Sequence, residues 1–268
     1  CLLLFFAHQW WVGQPVLQLR DLHVSPAFRW GLALFAFYYL LSYSFSYLFP
    51  LYAQQGLGFS VERTGRLLFF SNLVSFAIAF LGLRYRKWMP APKWLLCGAF
   101  LCMAIGTWQF SQLAPGAAVE SLYLPLALYG ACAGLLIVPL SITTFKELNE
   151  EVFGHAFRLR NIVRQMCSTC GVAAVTSVLQ SQGMVHRAYL NEHLTQYGAN
   201  TTQRLETLTS LLTQRGLTLD DAKAGALEIL RRTVEKQALL ASHLNIFVWL
   251  TGFALLISVL VLHQKRLN

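Results

Sequence analysis

Charge is what this sequence has least of. Only 12% of its 268 residues are Asp, Glu, Lys or Arg, about half the ~25% of an average soluble domain. With 56% hydrophobic residues and a mean hydropathy of +0.49, the deficit points to a membrane protein. Acid is missing from the apolar runs altogether: Asp21, Glu62, Glu120, Glu147, Glu150 and Glu151 all fall between them. The net charge of +9 comes without a basic stripe carrying interleaved aromatics, so nucleic acid is not an expected partner. It fits basic loops on the cytoplasmic face of a bilayer. Period-two alternation is absent, which excludes a β-barrel. A catalytic set is absent too. His8, His23, His155, His186, His193, His243 and His263 are scattered, with no Ser-His-acid or metal-ligand spacing. An enzyme, a metal and a cofactor are therefore not expected. The six cysteines all lie in apolar runs and read as small buried hydrophobes, not as a disulfide framework. Position 1 is Cys, and the apolar run 1–7 is too short to span a bilayer and lacks a signal peptide's basic leader. Residues 1–11 read as the end of a truncated transmembrane helix. A cytoplasmic linker, 12–28, follows.

Six long apolar segments are present, near 29–52, 65–83, 94–113, 121–145, 156–180 and 243–263. Each can cross ~30 Å of hydrocarbon as a helix. The expected fold is an all-α membrane protein with a six-helix transmembrane bundle over 29–268. Basic residues fix its orientation. Arg20 and Arg29, then Arg84, Arg86, Lys87 and Lys93, then Lys146, Arg158 and Arg160, and finally Lys265 and Arg266 mark the cytoplasmic side. The long polar connection 181–242 then lies outside the cytoplasm. Within it Leu205, Leu208, Leu211 and Leu212 mark one amphipathic helix. Thr218-Leu-Asp-Asp221 is a capping box opening a second. No Gly or Pro interrupts 226–251, so the second helix is expected to run unbroken into the last membrane helix. An extracytoplasmic helical loop of this kind offers a surface to a periplasmic adaptor protein.

The most polar intramembrane cluster is Asn161, Arg164 and Gln165. A buried charge about two turns into a membrane helix is costly unless it faces protein or water. Arg164 therefore reads as an anchor on helix carbonyls or as a gating residue, with Asn161 one turn before it. Arg158 and Arg160 are expected to snorkel to the surface. Cys167 and Cys170 form a C-x-x-C, but small residues surround them. The face of Cys167, Cys170, Gly171, Ala174 and Ser177 or Val178 reads as close helix packing. Gly130 and Gly134, four apart, suggest the same, and Pro139 permits a bend. Tyr38, Tyr39, Tyr43, Phe45 and Tyr47 crowd one helix, and those at mid-depth could line a cavity for flat apolar cations. Asn245 is expected to hydrogen-bond between helices, and His243 to be a surface group at a helix start.

Four stretches then carry a resemblance. Phe49-Pro-Leu-Tyr-Ala-Gln-Gln55 with Gly58 and Gly65 is the first. Gly130, Gly134 and Pro139-Leu140 form the second. Asn161-x-x-Arg164-Gln165 with Gly171 is the third, and Gln237-Ala238 with Phe247 the fourth. In this order and spacing the chain resembles the C-terminal part of the EmrB/QacA-like, fourteen-helix drug:proton antiporters of the major facilitator superfamily. The resemblance implies the C-terminal half of a transporter of the bacterial inner membrane. That transporter would export drugs or other amphipathic organic compounds by alternating access. Proton coupling would come from a missing N-terminal half, since Asn245 stands where the family often carries an acid and Tyr85 where an acid would be common. Arg164, Asn161, Gln165, Tyr43, Pro139 and Asn245 are the expected binding or gating residues. A membrane sensor or scaffold that keeps the fold without transporting is the alternative.

Overall fold

The structure, a computed structural model, describes residues 25–85, 90–113, 116–148, 150–195, 199–214 and 216–264. The truncated helix expected at 1–11 and most of the linker at 12–28 lie outside these residues. Helix α1, Pro26–Leu51, begins where Ser25, in extended backbone, accepts hydrogen bonds from the amides of Ala27 and Phe28. Proline at the first helical position fits this start, because its missing N–H would have no partner there. The helix opens three residues before Arg29, so the last residues of the expected linker belong to it. Pro50, lacking an amide hydrogen, stands near its far end, and the backbone then widens into a π-helical turn over Tyr52–Gly56. Helix α2 is Val61–Arg84, α3 Pro92–Ser111 and α4 Glu120–Phe145, the last carrying Pro125 and Pro139 within it.

The two remaining long helices outrun their apolar segments. Helix α5 covers Glu150–Thr195, far beyond the expected 156–180. Helix α6 is Ala199–Gln214, and α7 runs without interruption over Leu219–His263. Apolar length marks only the part of a helix that crosses lipid. The backbone hydrogen-bond ladder continues wherever no Gly or Pro stops it. Thr218 caps α7 by accepting from the Asp221 amide at 3.3 Å while its hydroxyl donates to the Asp221 carboxylate at 2.7 Å. Six stretches are long and apolar enough to span a membrane: Pro26–Gly56, Val61–Arg84, Pro92–Ser111, Glu120–Phe145, Val152–Ser181 and Leu239–His263.

The helices pack in a connected set. Helix α4 sits against α2 and α3, α3 against α7, and α1 against α5, α4 and α7. Close approach is bought by small residues. A Cβ on Gly130 would lie 2.2 Å from the Ser71 carbonyl oxygen, and one on Gly134 2.6 Å from that of Ser75. Ser71 also donates to the Leu126 carbonyl at 2.9 Å, so α2 and α4 touch backbone to backbone. The core is aromatic. Phe45, Phe49, Tyr52, Phe110 and Phe247 form a continuous cluster of stacked and edge-to-face rings in which Phe110 and Phe247 lie 5.1 Å apart. Buried polar pairs join α3 to α7: the hydroxyls of Thr107 and Thr251 at 2.8 Å, and the Cys97 thiol and Ser258 hydroxyl at 3.2 Å.

The outward faces of α2 and α5 differ in chemistry. Helix α2 exposes Phe69, Leu73, Phe76, Phe80 and Leu83, the large apolar surface that lipid tails favour. Helix α5 exposes Arg164, Gln165, Thr169, Cys170, Ala173 and Ser177, which lipid does not favour. Only 11% of the membrane-spanning window of α5 is buried in the bundle. Its free side is thus the most open among the six spans, and it carries polar side chains.

Candidate functional site

The polar face of α5 continues onto α1. These two helices run parallel and in register: Phe28 packs near Ala156 and Leu159 at one end, and Gly171 lies where a Cβ would meet the Leu40 carbonyl oxygen and Ser44 Oγ, each at 2.8 Å. Helix α4 flanks α1 from the other side, antiparallel, with Phe145 beside Phe28 at 6.1 Å. Between α4 and α5, α1 presents residues four apart, which share one side of a helix. Phe35, Tyr39 and Tyr43 form a ladder with ring centroids 5.7 and 6.4 Å apart. Tyr129 reaches across from α4. Its hydroxyl lies 2.9 Å from Ser42 Oγ and 3.1 Å from Ser46 Oγ, and it donates to the Ser42 carbonyl at 3.2 Å. Its ring stacks on Phe45 at 4.0 Å. A band of hydroxyls thus lies at mid-membrane on a surface only partly covered.

Two guanidiniums complete this face. Arg160 is half-buried, and its carbon centre lies over three rings: Phe157 at 4.3 Å, Phe35 at 5.5 Å and Phe145 at 5.8 Å. The rings come from three helices, α5, α1 and α4. Cation–π attraction is strengthened where water is excluded, so the cage holds the charge inside the protein. Arg160 Nε is buried and has no hydrogen-bond partner among the described residues. Arg164, one turn on, is exposed. Measured from Glu150, where α5 begins, Arg160 stands about 15 Å and Arg164 about 21 Å along the axis.

The expected site residues divide. Arg164 and Tyr43 meet on this face, with Tyr43 37% exposed. Asn161 is half-buried and Gln165 exposed beside Arg164. The Gln165 carbonyl accepts from Ser168 and Thr169 at 2.8 and 3.0 Å. Pro139 is elsewhere, buried in α4. It borders a cavity of about 260 Å³ closed by Gly82, Pro90, Pro92, Leu95 and Ile142 at the ends of α2, α3 and α4. Asn245 does not make the interhelical hydrogen bond expected of it. It is exposed on α7 and bonds to no described residue.

Three other expectations are corrected. Arg160 does not snorkel outward; the Phe157 ring, one turn before it, and its two neighbours hold it in. Arg158 is the exposed one, bonded to the Gly154 carbonyl and to His155. His243 is not a surface group. It is fully buried, because α7 starts at Leu219 and places it mid-helix against the Tyr52 ring at 6.2 Å. Its Nδ1 bonds to the Leu239 carbonyl at 2.6 Å. The close-packed face of α5 is Cys167, Gly171, Val175 and Val178; Cys170, Ala174 and Ser177 turn outward. At about 100° per residue, packing centred on Gly171 carries its neighbour Cys170 away from the contact. Sequence reasoning passed over Tyr129, Ser42 and Ser46. Phe157-x-x-Arg160, at helical spacing, was the signal available for the cage.

A model of the Major Facilitator Superfamily matches residues 7–172. Among curated proteins, the chain is 20% identical over 213 residues to the uncharacterized MFS-type transporter YhcA of Bacillus subtilis, covering 79% of this chain and 40% of that protein. It is 28% identical over 133 residues to the uncharacterized MFS-type transporter Rv1250 of Mycobacterium tuberculosis, covering 49% of this chain and 23% of that protein. The chain thus spans less than half the length of these relatives.

Proposed function

The chain belongs to the Major Facilitator Superfamily and is an integral membrane protein, and from that premise we propose that it is one six-helix bundle of a secondary transporter for amphipathic organic compounds. The observation that carries this reading is the unlike chemistry of the two outer faces. Helix α2 offers lipid large apolar side chains, whereas α1, α4 and α5 turn tyrosines, serines and an arginine outward at mid-depth. Such a face needs water or protein against it. A second bundle closing over it, with a substrate path between the two, meets that need. The resemblance to EmrB/QacA-like exporters supports drug efflux across the bacterial inner membrane. Carboxylates outside this chain would then supply proton coupling, and the 181–242 segment would meet a periplasmic adaptor. On this reading Arg164 and Asn161 help to close the cytoplasmic side as the bundles rock.

The test is transport by the complete protein. Everted membrane vesicles are energised and offered amphipathic dyes of both charges. Uptake above that of empty vesicles, abolished when an uncoupler collapses the proton gradient, is the expected outcome. Protein that inserts fully yet moves no dye of either charge contradicts transport and leaves a sensor or scaffold.

A further inference from the structure

The two guanidiniums on the α1–α4–α5 face have no carboxylate partner among the side chains described. The ion pairs Arg66–Glu62 and Arg232–Glu228 lie on other helices and are exposed. In sequence, the spans of α1, α3, α5 and α7 contain no Asp or Glu. Those of α2 and α4 carry acid only in the first turn, as Glu62 and Glu120. This bundle therefore brings two positive charges and no negative one to this face of its apolar spans. A charge there must be compensated by something that arrives from outside the bundle.

The geometry suggests what arrives. Arg160 is fixed on three rings, and its buried Nε lacks an acceptor. Arg164 is free, one turn farther in, where a planar fork can take a carboxylate, sulfonate or phosphate through two parallel hydrogen bonds. The Tyr39 and Tyr43 rings continue from the cage along α1, at a spacing that suits a flat aromatic body next to the anionic group. Tyr129 and Ser46 add hydroxyls at the far end. A lipophilic cation would meet two like charges here and no acid from this chain.

We infer that this face selects amphipathic aromatic anions, with Arg164 as the ligating cation and Arg160 as a fixed charge behind it. The inference rests on the transporter reading for what the bound anion is for, but not for its binding.

Xanthene dyes separate charge from shape, since fluorescein is anionic and rhodamine 6G cationic on one ring system. The complete protein, in phosphatidylcholine nanodiscs, is titrated with each dye by fluorescence anisotropy. Fluorescein should bind at least tenfold more tightly than rhodamine 6G. Arg164→Gln should weaken fluorescein at least tenfold, and Arg164→Lys by an intermediate factor, since charge stays but the fork is lost. Phe76→Ala, on the lipid-facing side of α2, should leave both dyes as in the parent. A single symmetric peak on size-exclusion chromatography shows that each variant is folded. Fluorescein affinity indifferent to Arg164→Gln would overturn the inference, because a carboxylate elsewhere in the protein then neutralises the arginine. A preference for rhodamine 6G, or no binding of either dye by folded protein, would overturn it as well. Adding phosphatidylglycerol to the nanodiscs tests the other anionic source. Displacement of fluorescein by that lipid at membrane concentrations assigns the site to a headgroup and overturns the substrate assignment. Vesicle transport separates the two claims. Fluorescein bound but never moved refutes transport and keeps the anion site. Rhodamine 6G moved while fluorescein is neither bound nor moved keeps transport and refutes the anion site.

Discussion

Single residues set how closely these helices approach, and Gly130 is the tightest case on α4. A methyl group there would meet a backbone oxygen of α2 at 2.2 Å, and one on Gly134 would meet another at 2.6 Å. Neither oxygen can rotate away as a side chain would. Gly130→Ala and Gly134→Ala should each destabilise the bundle by about 1–3 kcal/mol, the usual cost of overpacking. Gly98 and Gly252 have nothing within 4 Å of an added Cβ. Alanine at those positions should be neutral or slightly stabilising, since it also removes the helix penalty of glycine. Thermal unfolding of the four variants in detergent makes the comparison; equal stability of all four would contradict the packing. The small-residue spacing of Gly130 and Gly134 was legible in the sequence, as was the polarity of Arg164. What Arg160 and His243 do was not. Both depend on rings from other helices, Phe35 and Phe145 for Arg160 and Tyr52 for His243, and distance along a chain does not reveal which neighbour a side chain will meet.

At the scale of elements, the six spans could be read directly, because each needs an unbroken apolar run and the chain supplies six. Their true ends could not. Helices α5 and α7 continue through polar residues that no hydropathy window counts. The unbroken α7 was the exception, since the lack of Gly and Pro over 226–251 pointed to it. Because α7 is one rod, the side of the membrane that holds its first turns fixes the topology of the whole bundle. From the positive-inside count, the α6–α7 pair is expected outside the cytoplasm. Lys223 is exposed on α7, and Thr209 faces it from α6 across an apolar groove. Cysteines introduced at Thr209 and Lys223 in a background without other cysteines should react with a membrane-impermeant maleimide on intact cells. Reaction only after the cells are opened would invert the orientation.

For the whole molecule, the decisive feature is that one bundle carries two kinds of outer surface. The chain spans less than half of the relatives it matches, and the polar face of α1, α4 and α5 is where the remainder of such a transporter would close. If that is so, the face must see water during the transport cycle, while the outer side of α2 must never see it. Single cysteines at Tyr43, Ser46 and Thr169 are compared with cysteines at Phe69, Phe76 and Phe80 in the complete protein, with native cysteines replaced. Each variant is exposed to a charged, water-soluble methanethiosulfonate, and the rates of modification are measured. The account predicts reaction at all three polar-face positions, slowed by transported substrate, and none at the three positions on α2. Modification rates at Tyr43, Ser46 and Thr169 as low as those at Phe69, Phe76 and Phe80 would contradict it.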